Sequence, residues 1–349
     1  MTDAPTAMRE GRRPAARRSA NSLAGPVPGP SERACSVQRT VNILSDAWGF
    51  LILREAFFGV QSFEGFRTAL DIPRATLSDR LAKLTDRGIF RKAPSPAGGK
   101  RREYVLTPMG LDLYPGFLAL MQFGDRWLSE GGPPLTLVHA ECGQVCRPIV
   151  ACSECREEVT AREVTYRDGP GAGRDPLKEG RGTRRFSDEG KFLLGRPSSV
   201  ARALQLIGDR WSFMTMREAF FGVRRYDQMK RNMSIAPNIL TDRLNRFVEK
   251  GLFERRPYQS SPPRHEYVMT PMARDLYGPF LAMLAWGDRW LAEGRPPLLL
   301  RHARCGRDFT PSVLCDRCRR PIDAFNMRYR LNYDAGPYTV APSKARTGE

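Results

Sequence analysis

One stretch of this chain is written twice. Arg54-Glu55-Ala56-Phe57-Phe58-Gly59-Val60 returns as Arg217-Glu218-Ala219-Phe220-Phe221-Gly222-Val223. The same offset of 163 residues carries Asp79-Arg80-Leu81 onto Asp242-Arg243-Leu244, Glu103-Tyr104-Val105 onto Glu266-Tyr267-Val268, and Gly124-Asp125-Arg126-Trp127 onto Gly287-Asp288-Arg289-Trp290. No gap is needed from Cys35 to about Ala161. Self-similarity at a fixed offset is the signature of a repeated structural unit. Here the unit is a whole domain, and two copies account for most of the 349 residues.

Within a copy, apolar spacing predicts helices over Ser36 to Asp46 (Val37, Val41, Leu44) and Trp48 to Phe58. A short third helix is striped by Phe63, Phe66 and Leu70, with Tyr226, Met229 and Met233 in the equivalent places. Pro73 then takes the first position of a fourth helix, where its missing N–H costs nothing. Leu77, Leu81 and Leu84 give that helix its buried face and Gly88 ends it. Ile89 to Lys92 and Arg102 to Thr107 read as two strands around a Pro/Gly-rich tip, and Pro108 starts a last helix running to about Glu130. Three short helices, a leucine-faced helix after a turn and a basic-tipped hairpin make a winged helix-turn-helix. The fold class is α+β, mainly α.

Ser36-Val37 through Asp46-Ala47-Trp48, Arg54-Glu55, Leu77 to Leu84, Gly88-Ile89-Phe90, Glu103-Tyr104 and Leu106-Thr107-Pro108-Met109-Gly110 together resemble the HxlR-type transcriptional regulators of bacteria. The resemblance covers about 95 residues of each copy. It implies DNA binding and no enzymatic activity. Such regulators are typically homodimers joined through their terminal helices, so a tandem copy implies a pseudo-dimer within one chain, with further dimerisation open. The expected partition is a basic disordered tail (1–33), a first winged domain (34–131) with a ribbon-like module (132–167), a linker (168–196), a second winged domain (197–294) with its module (295–332), and a C-terminal tail (333–349).

A winged helix-turn-helix lays its recognition helix in the major groove and its hairpin tip against the backbone or minor groove. With the leucines inward, Ala75, Thr76, Ser78, Asp79 and Lys83 point out, and Arg74 is free at the helix start. The second copy presents Pro237, Asn238, Ile239, Thr241, Asp242 and Arg246. Lys100, Arg101 and Arg102 arm the first wing, Arg264 and His265 the second. The inward leucines Leu77/Leu240 and Leu81/Leu244, Asp79/Asp242 and Arg80/Arg243 match between copies, whereas Arg74/Pro237, Ala75/Asn238 and Thr76/Ile239 differ. Two half-site preferences, hence an imperfect palindrome, are one expectation. A second copy that only helps to dimerise is the other. An Arg beside a leucine face commonly pairs with a carboxylate of its own domain, so Arg80 and Arg243 are left out of the reading set.

Seven of the eight cysteines follow the last helices. The first group reads His139-x2-Cys142-x9-Cys152-x2-Cys155, the second His302-x2-Cys305-x9-Cys315-x2-Cys318. Two short pairs separated by a loop have the spacing of a closed tetrahedral zinc site. One zinc per ribbon-like module is the expectation. A CxxC redox pair and an empty vestige are the alternatives, and Cys146 competes with His139 for the fourth place in the first group. Cys35 stands apart at the start of the first helix, a position that lowers a thiol pKa. The family resemblance implies that a cysteine there can sense oxidants or electrophiles, but Ser198 replaces it in the second copy and a plain structural cysteine is the competing reading.

Charge agrees with a polyanionic partner. The chain carries 56 basic against 38 acidic residues, a formal +18. Only 8 of those basic residues are Lys, so GC-rich codon usage inflates the total, yet the predicted folded part stays basic when the tail and linker are set aside. No P-loop or G-x-S-x-G supports an enzyme, and two of the three histidines fall in the cysteine groups. No apolar run suits a membrane span, and no apolar stretch follows the basic N-terminus as a leader would require. The expectation is a cytoplasmic, nucleoid-associated regulator of double-stranded DNA open to a small-molecule or electrophile effector. A thiol redox protein and a non-specific nucleic-acid scaffold are the alternatives.

Overall fold

The computed structural model describes residues 31–44, 46–95, 102–176 and 196–334. A short strand β1 (Ser31–Arg33) leads into α1 (Ser36–Leu44), α2 (Ala47–Phe57), α3 (Phe63–Leu70), α4 (Arg74–Asp86), the wing strands β2 (Phe90–Pro94) and β3 (Arg102–Leu106), α5 (Pro108–Leu111) and α6 (Tyr114–Trp127). Strands β4 (Leu135–His139), β5 (Pro148–Cys152), β6 (Val164–Asp168) and β7 (Arg174–Pro176) follow. The second copy repeats the plan as α7 (Ser199–Ile207), α8 (Arg210–Phe220), α9 (Tyr226–Met233), α10 (Pro237–Glu249), β8 (Phe253–Gln259), β9 (Arg264–Met269), α11 (Pro271–Asp275) and α12 (Tyr277–Leu291). It closes with β10 (Leu298–His302), β11 (Arg307–Phe309), β12 (Pro311–Cys315) and β13 (Met327–Leu331).

Local chemistry sets these boundaries. The Asp46 carboxylate accepts from the Gly49 N–H to cap α2, Ser62 accepts from Gly65 to cap α3, and Thr107 accepts from Gly110 to cap α5. Asp209 and Thr270 repeat the first and third of these in the second copy. Leu77, Leu81 and Leu84 are buried under α4, as are Leu240, Leu244 and Phe247 under α10. Three expectations need correction. The last helix is broken into α5 and α6 at Asp112–Leu113, and its counterpart breaks at Leu276 although Gly278 stands there in place of Pro115. Pro73 flanks α4 rather than opening it, while Pro237 does take the first turn of α10. The tail and linker boundaries also shift, since Ser31–Arg33 pairs with Arg174–Pro176 as an antiparallel two-stranded sheet. Residues 1–30, 177–195 and 335–349 lie outside the described residues.

The two copies pack about a pseudo-twofold axis. Phe50 stacks on its own counterpart Phe213, with centroids 5.7 Å apart and planes 8° from parallel. One continuous apolar core runs through both winged domains. α1 packs on α12 and α6 on α7, each pair crossing the copy boundary. These crossings are close because Gly124 and Gly287 lie against Ser199 and Ser36, where a Cβ would run into the facing backbone oxygens.

The ribbons depart most from the expected plan. They are not two separate modules. β5 pairs antiparallel with β12, placing Val150 opposite its counterpart Val313; β4 pairs with β13, and β6 with β10. Every one of these ladders joins a strand of one copy to a strand of the other.

Candidate DNA interface and metal centres

The outward face of α4 is available. Arg74, Ala75, Ser78, Asp79 and Lys83 are exposed and Thr76 is partly so. Arg74 leans over the Phe63 ring at 5.3 Å and lies 3.4 Å from Glu64. Lys83 donates to Asp79 at 2.8 Å. Burial would raise the Asp79 carboxyl, yet Lys83 and Arg80 hold it below its ordinary range. It therefore stays charged and repels phosphate, so its use on DNA is confined to a base-edge donor such as cytosine N4.

On α10, Pro237, Asn238 and Thr241 are exposed, but part of the face is engaged locally. The Tyr226 hydroxyl donates to the Pro237 carbonyl at 3.0 Å and lies 3.3 Å from the Thr241 hydroxyl. Arg246 donates to the Gln205 carbonyl and Asp242 accepts from Arg243. Asn238 is thus the exposed side-chain amide on this helix's leading turn. Arg102, Arg264 and the half-exposed His265 stand on the wings; Lys100 and Arg101 lie outside the described residues.

Beneath both recognition helices the scaffold repeats. The Arg80 Nε donates to Asp46 at 3.0 Å, and the Arg243 Nε to Asp209 at the same distance, so each helix is tied to the N-cap of α2 or α8. Leaving these two arginines out of the reading set agrees with this placement.

The residues that sequence reasoning missed are those of the repeated Gly-Asp-Arg-Trp motif. Each member meets the other copy. Ser199 donates to Asp125 and Ser36 to Asp288. Arg126 reaches Asp275 at 3.0 Å and Arg289 reaches Asp112 at 2.9 Å. The indole N–H of Trp127 donates to Asp275 and that of Trp290 to Asp112. Burial raises both Asp125 and Asp288 to about 6, opposed by the serine hydrogen bonds and by Arg202 and Arg39. The recurrence of Gly-Asp-Arg-Trp at the end of an apolar helix was the available signal.

The Cys/His residues gather into two groups that can hold a metal ion, but not as the spacing suggested. His139 and Cys142 meet Cys315 and Cys318; Cys152 and Cys155 meet His302 and Cys305. Each group takes an HxxC pair from one copy and a CxxC pair from the other, because the antiparallel β5–β12 ladder carries each CxxC turn across the axis. Ligand atoms in each group lie within 4.8 Å of one another. The Cys142–Cys315 and Cys152–Cys305 sulfurs are 3.9 Å apart, and the imidazole Nδ1 atoms lie 3.3 Å from Cys318 and Cys155. A tetrahedron with Zn–S of ~2.3 Å and Zn–N of ~2.0 Å has edges of about 3.5–3.8 Å. Nδ1 is the imidazole nitrogen that faces the sulfurs in both groups, and each Nε2 is buried without a hydrogen-bond partner.

Thiolate formation is assisted at matching positions. The Gln144 N–H, then His139, pulls the Cys142 thiol down to about 7, and the Arg307 N–H lowers its counterpart Cys305. Cys146 is not in either group; it is buried, and burial beside Cys315 pushes its thiol up to about 12. Phe309, its counterpart, packs on the His302 ring at 5.8 Å. Cys35 is 1% exposed just ahead of α1, so it meets a dissolved oxidant only after local opening.

A winged helix-turn-helix with an exposed recognition helix, present twice, defines a DNA-binding transcriptional regulator. The chain belongs to the HxlR-like helix-turn-helix family, whose model matches residues 43–131 and 206–295. It is 47% identical over 131 residues, 37% of this chain and 82% of the relative, to the uncharacterized HTH-type transcriptional regulator Rv3095 of Mycobacterium tuberculosis. It is 31% identical over 90 residues, 26% of this chain and 71% of the relative, to the uncharacterized HTH-type regulator YtcD of Bacillus subtilis. Among solved structures, a candidate transcription factor of Pseudomonas aeruginosa, PA1374, is 37% identical, with a TM-score of 0.23 over 35% of this chain and 74% of that one. Family and relatives are transcriptional regulators, not enzymes. No helix among the described residues is long and apolar enough to cross a membrane.

Proposed function

We propose that this regulator binds double-stranded DNA sequence-specifically as an intramolecular pseudo-dimer, each copy reading one half of an imperfect palindrome. The supporting observation is the contrast within the recognition helices. Arg80 and Arg243 anchor them identically, while the leading exposed residues change from Arg74-Ala75-Thr76 to Pro237-Asn238-Ile239. Asn238 suits a bidentate pair with adenine, and Arg74 suits a guanine edge or a phosphate, each base pairing contributing ~1–3 kcal/mol of discrimination. Arg102, Arg264 and His265 contact the flanking backbone or minor groove.

The ribbons hold structural zinc, one ion at each corner shared between the copies. A closed Cys3His set leaves no place for a reacting water. Zinc here would fix how the two winged domains are oriented.

Selection of genomic fragments by the full chain at about 150 mM salt, against excess non-specific DNA, tests the reading. One motif with two unlike half-sites, about one helical turn apart, is expected. Asn238→Ala should relax one half-site and Arg74→Ala the other. Two identical half-sites would remove the two-reader proposal, and salt-sensitive binding with no motif would remove sequence-specific binding altogether.

A further inference from the structure

The pseudo-twofold places Arg54 and Arg217 in equivalent positions, and their surroundings differ. Arg217 is 2% exposed. It donates Nη2 to Glu218 at 2.8 Å and Nη1 to the Gln38 amide oxygen at 2.7 Å, across the copy boundary. Its Nε is the nitrogen left without a partner. Arg54 is 7% exposed and gives Nε and Nη2 to Glu55. The residue equivalent to Gln38 is Ala201, which has no acceptor to offer, and the Arg54 Nη1 has no partner.

A cavity lies against this same Arg54. A pocket of about 600 Å³, measured with its mouth, is lined by Arg54 together with Phe57, Phe117, Tyr114, Tyr329 and Val200. Its walls are thus drawn from both copies, with aromatic faces on one side and the first turn of α7 on the other. Arg54 and Arg196 share the single carboxylate of Glu55, with Arg196 at 3.1 Å, so the polar end carries excess positive charge. The N-terminus of α7 adds the positive end of a helix dipole.

From these features we propose that this cavity binds a small aromatic monocarboxylate, its ring among Phe57, Phe117 and Tyr329 and its carboxylate toward Arg54 and the start of α7. The size suits one ring with a short side chain, and the mix of apolar walls with one convergent cation is that of a ligand pocket. Because the walls belong to both copies, an occupant alters the packing of α7 on α2. Any effect on DNA affinity rests on the DNA-binding reading above; the binding itself does not.

The probes are benzoate, phenylacetate and the neutral benzamide, titrated into the metal-loaded full chain by calorimetry and ligand-observed NMR without DNA. Both carboxylates are expected to bind one per chain, with benzamide at least about tenfold weaker. Ala201→Gln supplies the amide that Gln38 supplies to Arg217, and should abolish binding while holding or raising the melting temperature. Gln38→Ala should open the equivalent space and add a second, weaker site. Absence of carboxylate binding to the wild type, equal binding of benzamide, or undiminished binding in the folded Ala201→Gln variant would overturn the proposal. Binding without any change in DNA affinity would leave the site standing and exclude its coupling to DNA.

Discussion

The recognition helices and the ribbons are duplicated alike, but they differ in how closely their copies match. α4 and α10 keep an apolar buried face, Leu77/Leu240, Leu81/Leu244 and Leu84/Phe247, and their Arg–Asp anchor, and change the exposed leading residues. In the ribbons, His139/His302, Cys142/Cys305, Cys152/Cys315 and Cys155/Cys318 are all matched. The reason is where each side chain finds its partner. A residue of the reading face finds a partner within its own copy, as Arg74 does with Glu64 and Arg246 with Gln205. A ligand in one ribbon completes a group whose other half stands in the opposite copy, so neither ribbon makes a whole site alone. Arg54 and Arg217 are the intermediate case, in which one partner was exchanged and Arg54 lines a cavity.

The largest effect that can break this comparison is loss of metal. Structural zinc contributes ~10–16 kcal/mol in isolated zinc-finger peptides, so chelation should lower the melting temperature steeply and loosen the copies together. The pairing itself is read by zinc content per chain. Wild type should hold about two ions, and His139→Ala or Cys318→Ser alone about one. The double variant His139→Ala/Cys318→Ser should still hold about one, because both residues serve the same corner. His139→Ala/Cys155→Ser, which lies wholly within one copy, should hold none. Sites closed within each copy would give the reverse pattern for the two double variants.

A smaller effect is expected where helices cross between copies. Gly124→Ala places a methyl group against the Ser199 backbone oxygen, and backbone yields less readily than a side chain tip. A loss of about 2–3 kcal/mol is expected, seen as a melting point several degrees lower. Gly116→Ala, on the same helix, is the control. Its Cβ would lie 3.9 Å from Ala282, an ordinary contact, and better helix propensity should leave stability unchanged or raise it by up to about 1 kcal/mol. Equal losses from the two variants would mean that Gly124 matters only as a helix residue and not as the crossing point.

Much of this was legible before any coordinates. Spacing placed the first four helices of the copy within a residue or two, because Leu77, Leu81 and Leu84 declare a buried face, whereas the last helix breaks at Asp112–Leu113 and ends at Trp127. The eight Cys and His ligands were legible as well, as residue types with a known spacing. Their grouping was not. His139-x2-Cys142 and Cys152-x2-Cys155 have the same spacing whether they close on each other or on the opposite ribbon, and strand pairing across the axis leaves no mark in either segment. The role of Gly124-Asp125-Arg126-Trp127 was hidden for the same reason, since its partners Ser199, Asp275 and their equivalents are distant in sequence and individually ordinary. Asymmetry, by contrast, needed both stages: Gln38 against Ala201 is plain in the repeat, but only the fold shows that an arginine waits for that amide.

The finest test concerns the aspartates of that motif. Asp125 and Asp288 sit at equivalent crossings, and burial raises each to about 6, against ~3.9 for an unfolded Asp. A carboxyl whose folded pKa is raised contributes stability that is fully present below the unfolded value and is lost as pH climbs through the folded one. The window is therefore pH 4 to about 6, and at neutral pH both charges weigh on the folded state. Asp125→Asn and Asp288→Asn keep an oxygen for Ser199 and Ser36 but carry no charge. Each should stabilise by about 1–2 kcal/mol at pH 7.5, less than the full shift because both carboxyls are partly exposed and solvent screens them. The gain should fall to about half by pH 5 and vanish below about pH 4, and comparing variant with wild type at each pH cancels the separate loss of metal in acid. A gain at only one of the two positions would show that the crossings differ. A gain that does not change with pH would mean that shape, and not charge, is what the aspartates bring to the boundary between the copies.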